Sequence, residues 1–277
     1  MGECTRDRYL DSGRETVGGI SLNFAINARR SGADETALVS CTGAGAGGVD
    51  DEAVGAADAI RRKLAAEGVD ASHLHSMPGA TASQAIHLTH GGERIFPPNG
   101  YDPGVLGTFQ LDEDDLTFIA TFDVVMAPWF RQVEHLFHSA MQAAGTGAKR
   151  VADLLDGADL GARLAGLDPL LEVLDLAFIS GGERTVDLLL PRSQQTRTLI
   201  VVTHGAGGST ALSGGVRQFR RAVPVPVDER VDTTGCGDAF QAAFTVEYFR
   251  HGDIARSLRA GAARAAGVIR HFGATGA

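Results

Sequence analysis

The chain has 277 residues and a formal charge of −9, with 25 Lys and Arg against 34 Asp and Glu. It is 44% hydrophobic, 21% charged and 6% aromatic, an ordinary globular composition that excludes a disordered tail, a collagen or a disulfide-stapled scaffold. The acidic balance repels phosphate polymers, so nucleic acid is not an expected partner.

Taken in chain order, the hydrophobic pattern predicts an α/β protein with a mainly parallel sheet. Tyr9–Gly19 holds short strand candidates around Gly turns. A helix is expected over Ile20–Arg30, a strand over Glu35–Cys41 and a long helix over Asp51–Glu67. Ala82–Phe96 reads as a hairpin closing at Gly91-Gly92. Strands follow at Phe122–Ala127, Leu174–Ser180 and Thr198–Thr203, and helices at Gln132–Ala144, Gly237–Arg250 and Ile254–Arg270. Pieces 8–19 and 82–100 do not belong to a doubly wound core. The expected organisation is one three-layer α/β/α domain over residues 1–277, with those pieces forming a small β lid.

Several chemistries are excluded by what is scarce. The two lysines, Lys63 and Lys149, follow no glycine, so there is no Walker A motif. Both fall in polar, helix-like stretches, which are poor settings for a Schiff base. Cys4, Cys41 and Cys236 form no CxxC pair, so no zinc site or disulfide framework is indicated, and a reducing cytoplasm is expected. The charged start, MGECTRDRYLD, is not a secretory signal, and no apolar run nears the ~18 residues of a membrane span.

The densest chemistry lies at Val231-Asp232-Thr233-Thr234-Gly235-Cys236-Gly237-Asp238-Ala239-Phe240. Glycines flanking one small residue let successive N–H groups face one point, and the helix starting there adds partial positive charge. Such a concavity holds a phosphate or a developing anion. Taken alone, Asp238 is a helix-capping acid. The whole string DTTGCGDAF, however, resembles the carboxy-terminal signature of the ribokinase/PfkB carbohydrate kinases, with Cys236 in place of the usual alanine. Gly2-Glu3 with Asp7 is similar to that family's early acidic segment. Gly18-Gly19 with Asn23 is similar to its Gly-Gly-x-x-x-Asn, residues 49–55 (VDDEAVG) to its Gly-Asp-Asp-x-x-Gly, and Thr203-His204-Gly205-Ala206-Gly207-Gly208 to its phosphate-contacting strand-loop.

The resemblance implies a three-layer fold with a β lid, ATP with Mg2+, and a small sugar substrate. It makes Asp238 the general base and Gly235, Cys236 and Gly237 the anion hole. It places Asp7, Gly18, Gly19 and Asn23 on the sugar, Ser180, Glu183, Thr203, Gly205 and Gly208 on the nucleotide, Glu183 towards Mg2+ through water, and Asp232 with Thr234 at a monovalent cation such as K+. Arg94, in the hairpin, is expected to face a polar or anionic substrate tail. The stretch GGERIFPPNGYDPGVL is similar to the fructosamine kinase branch, which points to a fructosamine acceptor. A homodimer through the lid is expected, because the apolar alternation around Ile86 and Leu88 leaves a face to cover.

There are departures. The family's Asn-x-x-Glu stands here as Ser180-Gly181-Gly182-Glu183, its Asp-x-Asn-x-Arg is reduced to Asp153-Leu154-Leu155, and an asparagine of the adenine-side helix is missing from Gly261–Arg264. Met1 stands where the family's first strand should be ending, which leads us to expect a mis-assigned start or an absent central strand. Two other readings remain open. One is a catalytically impaired sugar-binding protein. The other is an NAD-dependent dehydrogenase using Gly43–Gly48, which fits G-x-G-x-x-G but is followed by Asp50 and Asp51 where a pyrophosphate needs positive charge. His135 and His138 on a helix, and His73 and His75 in a loop, are expected to be solvated or capping groups. His204 is a loop histidine within reach of a nucleotide.

Overall fold

The computed structural model describes residues 1–45, 51–157 and 164–276. The chain opens with an antiparallel hairpin, β1 (Thr5–Tyr9) and β2 (Arg14–Gly18), followed by α1 (Ile20–Arg30). Next come β3 (Ser40–Gly43), α2 (Asp51–Glu67) and β4 (Leu74–Met77), with β3 and β4 paired in parallel. The strand expected over 35–41 is shifted late, because only an isolated bridge from Ala37 to Asp70 precedes Ser40. Then follow β5 (Ser83–Leu88), β6 (Arg94–Ile95) and β7 (Tyr101–Asp102). β5 pairs in parallel with β1 and antiparallel with β6 and β7, which makes a small sheet of its own.

The remainder builds the large sheet. Its elements are α3 (Glu113–Ile119), β8 (Val124–Pro128), α4 (Glu134–Ala143), β9 (Lys149–Asp156), α5 (Leu164–Val173), β10 (Leu176–Ser180), α6 (Glu183–Leu189) and β11 (Leu199–Thr203). A second hairpin, β12 (Ser209–Ser213) and β13 (Val216–Arg220), extends it before α7 (Cys236–His251) and α8 (Ile254–Val268) close the chain. Strand order is β13-β12-β11-β10-β9-β8, with β8 to β11 mutually parallel. Lys149 opens β9 and is not helical as expected; it pairs with Asp175 at 3.2 Å, while Lys63 donates to the Gly276 carbonyl at 2.9 Å.

Strand periodicity divides the core into two layers. Val125, Ala127, Ala152, Leu154, Ala177, Ile179, Ile200 and Val202 face α3 to α6, while their alternates Met126, Val151, Leu176, Phe178, Leu199 and Val201 face α1, α7 and α8. Phe178 meets Phe244 edge-on at 5.6 Å between centroids, and burying each such ring contributes about 1.5–3 kcal/mol. Both faces of the parallel strands are therefore apolar, which is why they read as continuous hydrophobic runs. The parallel strands end together at Pro128, Asp156, Ser180 and Thr203, and the N-terminus of α7 carries Asp238. Crevices at that edge of an α/β sheet are where ligands bind.

Candidate active site

The string 231–240 forms a loop that turns into α7. Gly235 is its N-cap with φ +78°, and a Cβ there would lie 2.5 Å from the Ala274 carbonyl oxygen. The first N–H groups of a helix lack intrahelical partners. Cys236 N–H is nonetheless engaged, donating to the Thr233 carbonyl at 3.2 Å. Among the described residues no acceptor meets the N–H of Gly235 or Gly237. The expected trio of donors is thus narrowed to those two, because the turn through Thr233 takes the middle one. The Cys236 thiol is pushed up to about 12 by burial and is no nucleophile at neutral pH.

Asp238 sits one residue on, in the first turn of α7. Its Oδ2 accepts a hydrogen bond from Asn23 Nδ2 at 2.7 Å. Burial pushes the carboxyl up to about 6; the Asn23 bond and the charge of Arg94 pull it down, and the carboxylate of Asp153 pushes it up. Asp153, on β9, is held by Gln241 Nε2 at 2.9 Å and by the Leu155 N–H at 2.8 Å. Leu155 itself adopts φ +61°, a conformation that costs a branched residue energy and is maintained by its surroundings.

Asp7 projects from β1 beside this group. Thr5 Oγ1 donates to it at 2.7 Å, and burial together with Glu3, Asp238 and Asp232 raises it to about 7. Gly18 is what makes room for it, since a Cβ there would lie 2.1 Å from Asp7 Oδ2. Gly19, with φ +100°, leads into α1, whose first N–H at Ile20 is capped from a distance by Glu3 Oε2 at 2.9 Å. The structure thereby gathers Asp7, Gly18, Gly19, Asn23 and Asp238, and adds Glu3, Asp153 and Gln241. Sequence reasoning placed Glu3 and Asp153 in segments similar to the family's without giving them a role in the site, and did not single out Gln241.

Next to this cluster lies a cavity of about 980 Å³, lined by Ser180, Thr203, Gly205 and Gly208 on one side and Cys236 and Gly237 at its inner end. Phe219, Val223, Ala262 and Ile269 supply an apolar wall. A Gly-rich floor beside such a wall suits a flat ring carrying phosphates. Arg94 reaches in from β6: its N–H donates to Thr233 Oγ1 and its Nη1 to the Thr233 carbonyl, both at 2.9 Å. It therefore belongs to the wall of this cavity, bound to the anion loop, and not to a separate substrate tail.

Three expected roles are not supported by the geometry. Glu183, 67% exposed, forms an ion pair with Arg217 of β13 at 2.6 Å and does not line the cavity. Asp232 is fully buried and accepts from Tyr9 Oη at 2.6 Å, Thr234 N–H at 2.8 Å and Gly273 N–H at 2.9 Å. Those three partners are all donors, so the Asp232 side chain is engaged within the chain. His204 is structural: Nδ1 donates to the Gly181 carbonyl at 2.6 Å, leaving Nε2 to accept from Thr210 Oγ1 at 2.8 Å. Of Gly43–Gly48, Gly43 lies in β3 and Gly45 bridges to Gly79, while 46–48 lie outside the described residues, as do Val49 and Asp50.

Residues 170–277, which carry the anion loop, match the pfkB family carbohydrate kinases. The match takes in the loop 231–240 and both closing helices. It is 29% identical to a fructoselysine 6-kinase of Escherichia coli over 99% of this chain and 97% of the relative. It is 25% identical to the fructosamine kinase FrlD of Bacillus subtilis over its full length and 92% of the relative. Among solved structures, the Arabidopsis thaliana ribokinase complexed with ribose and ATP superposes with a TM-score of 0.73, at 19% identity, over 99% of this chain and 92% of that one. The fold is ribokinase-like, and the full-length relatives are kinases, which favours the kinase over the dehydrogenase reading of Gly43–Gly48. No helix among the described residues is long and apolar enough to cross a membrane.

Proposed function

We propose that this carbohydrate kinase transfers the γ-phosphoryl group of MgATP to a primary hydroxyl of a fructosamine, with Asp238 as general base. The observation that carries the reading is a buried carboxylate, raised to about 6 and held by Asn23, one residue beyond two unpartnered N–H groups at a helix start. A base of that pKa is ionised at neutral pH and still accepts a proton readily. Asp238 takes the proton of the acceptor hydroxyl, the oxygen attacks the γ-phosphorus in line, and ADP leaves. The N–H groups of Gly235 and Gly237, with Arg94, face the charge spread over the phosphoryl oxygens. Asp7 and Asn23 orient the sugar, and Ser180, Thr203, Gly205 and Gly208 flank the nucleotide. Mg2+ arrives with ATP and is held by phosphates and water; we assign no carboxylate of this chain to it, Glu183 included.

The acceptor class rests on the fructoselysine and fructosamine kinases among the relatives. ATP consumption with Mg2+ across ribose, hexoses, nucleosides and fructosamines tests it. Turnover is expected on fructosamines at least tenfold above the other classes. Turnover confined to nucleosides or free sugars overturns the acceptor class, and silence across the panel restores the sugar-binding reading.

We propose further that the small sheet acts as a lid and pairs with that of a second copy in the cytoplasm. Ile86 is buried in the sheet, but Leu10, Ile95 and Phe96 stand 49%, 53% and 49% exposed on it. Light scattering on the eluting protein is expected to give a dimer, and Phe96→Asp a monomer. A wild-type monomer at every concentration overturns this.

A further inference from the structure

A second cluster of titratable side chains lies apart from the phosphoryl cavity. His75 lies in β4 and His73 in the turn directly before it. Sequence reasoning left both in a loop as solvated groups. Instead both meet one carboxylate oxygen: His73 Nδ1 lies 2.7 Å and His75 Nε2 2.8 Å from Asp115 Oδ1. The three ligand atoms fall within 4.8 Å of one another.

The surroundings hold these groups in place. Asp115 is fully buried, and its Oδ2 accepts the Asp112 N–H at 3.2 Å within the capping box of α3. His73 stacks on Phe118 at 4.0 Å between centroids, and His75 packs against Phe109 at 5.2 Å. The two imidazoles keep 20% and 34% of their side-chain surface exposed, so an ion and a water have a way in. A ligating carboxylate fixed by an outer hydrogen bond and ligating rings fixed by packing are what a tight site requires.

Two imidazole nitrogens and one carboxylate oxygen suit a borderline dication and not Mg2+ or Ca2+, which take oxygen ligands. We propose that His73, His75 and Asp115 bind a divalent transition-metal ion of the zinc class, with water completing the shell. The ion fastens β4 to α3. None of its three ligands lines the phosphoryl cavity, so the site does not depend on the kinase reading, and its test needs no substrate.

Co2+, whose visible absorption reports its ligands, is titrated into the full chain freed of divalent ions, and Zn2+ is then added to displace it. One Co2+ per chain is expected, with d–d bands that Zn2+ abolishes and a higher melting temperature in the presence of either ion. His75→Gln should weaken binding by more than the ~10–100-fold typical of losing an outer-shell partner. Asp115→Asn, which keeps an oxygen for the Asp112 N–H, should do the same, with an unchanged circular dichroism spectrum and a cooperative melt showing that the chain is folded. Failure of the wild-type chain to take up either ion at equimolar concentration overturns the site. So does a folded variant that binds as tightly as wild type.

Discussion

Replacing Asp238 by Asn should lower kcat by about 10²–10⁴, the contribution of a positioned general base, while ATP binding changes little. The amide is isosteric, its carbonyl still accepts from Asn23 Nδ2, and neither the Gly235 nor the Gly237 N–H is disturbed. In the wild-type enzyme kcat/KM should rise with pH through about 6 and level off above it, since the base works deprotonated and the carboxyl titrates there. The variant should lose that limb.

Stability should move the other way. A carboxyl raised by burial is most compatible with the fold when protonated. Its contribution is present below the unfolded value near 4 and is lost as pH rises through about 6. Asp238→Asn removes a buried charge, so its stability should exceed that of wild type by an amount that grows between about pH 4 and 6 and levels off above, reaching on the order of 3 kcal/mol at most. Steady-state kinetics, nucleotide titration and thermal melts on the same preparation check all three. Residual turnover within tenfold of wild type would remove Asp238 from the role of base.

Gly235→Ala is the second large effect. At φ +78° an alanine pays about 1–2 kcal/mol for the left-handed conformation. Its methyl would also lie 2.5 Å from the Ala274 carbonyl oxygen and 2.6 Å from Ala274 Cα. The clash is with backbone, so the loop or residues 271–276 must move. That segment is fastened to the loop by the Gly273 N–H on Asp232, and Phe272 packs on Tyr9 and under the Arg14 guanidinium. Displacing the loop moves the N–H groups of Gly235 and Gly237 off the phosphoryl oxygens, and loss of such donors costs about 10²–10³ in kcat. Gly252→Ala separates strain from clash: its φ is +69° at the C-cap of α7, and an added Cβ meets nothing within 4 Å. It should lose stability alone, with kcat unchanged. Equal loss of kcat in both variants would mean that backbone strain, and not the position of the anion loop, limits the rate.

Local chemistry made much of this protein readable in advance. Strands β8, β10 and β11 were visible as continuous apolar runs because both faces are buried, whereas β9 was not foreseen, its run being broken by Lys149, Arg150, Asp153 and Asp156. The loop 231–240 was visible because Gly235 and Gly237 stand beside Asp238 within four residues at a helix start. The hairpin at 82–96 was visible because Gly91-Gly92 separates two alternating segments, although β6 keeps only Arg94 and Ile95. The antiparallel pair β12 and β13 was not foreseen: all five residues of β13 are exposed, so that edge strand carries no hydrophobic signature.

What the chain alone made legible is therefore the fold class, a resemblance to a kinase family and a candidate for the base. Tertiary structure decided which side chains finish the job, because those pairings join residues far apart in the chain. Asp232 accepts from Tyr9, 223 positions away in the chain. Glu183 matches a familiar spacing, yet β13 brings Arg217 beside it as an ion-pair partner. Arg94 joins the anion loop only because the hairpin folds onto Thr233. His73 and His75 become a chelating pair only because α3 delivers a buried carboxylate 40 residues later. A motif states which groups a site contains locally; the partners that set their charge and direction are supplied by topology.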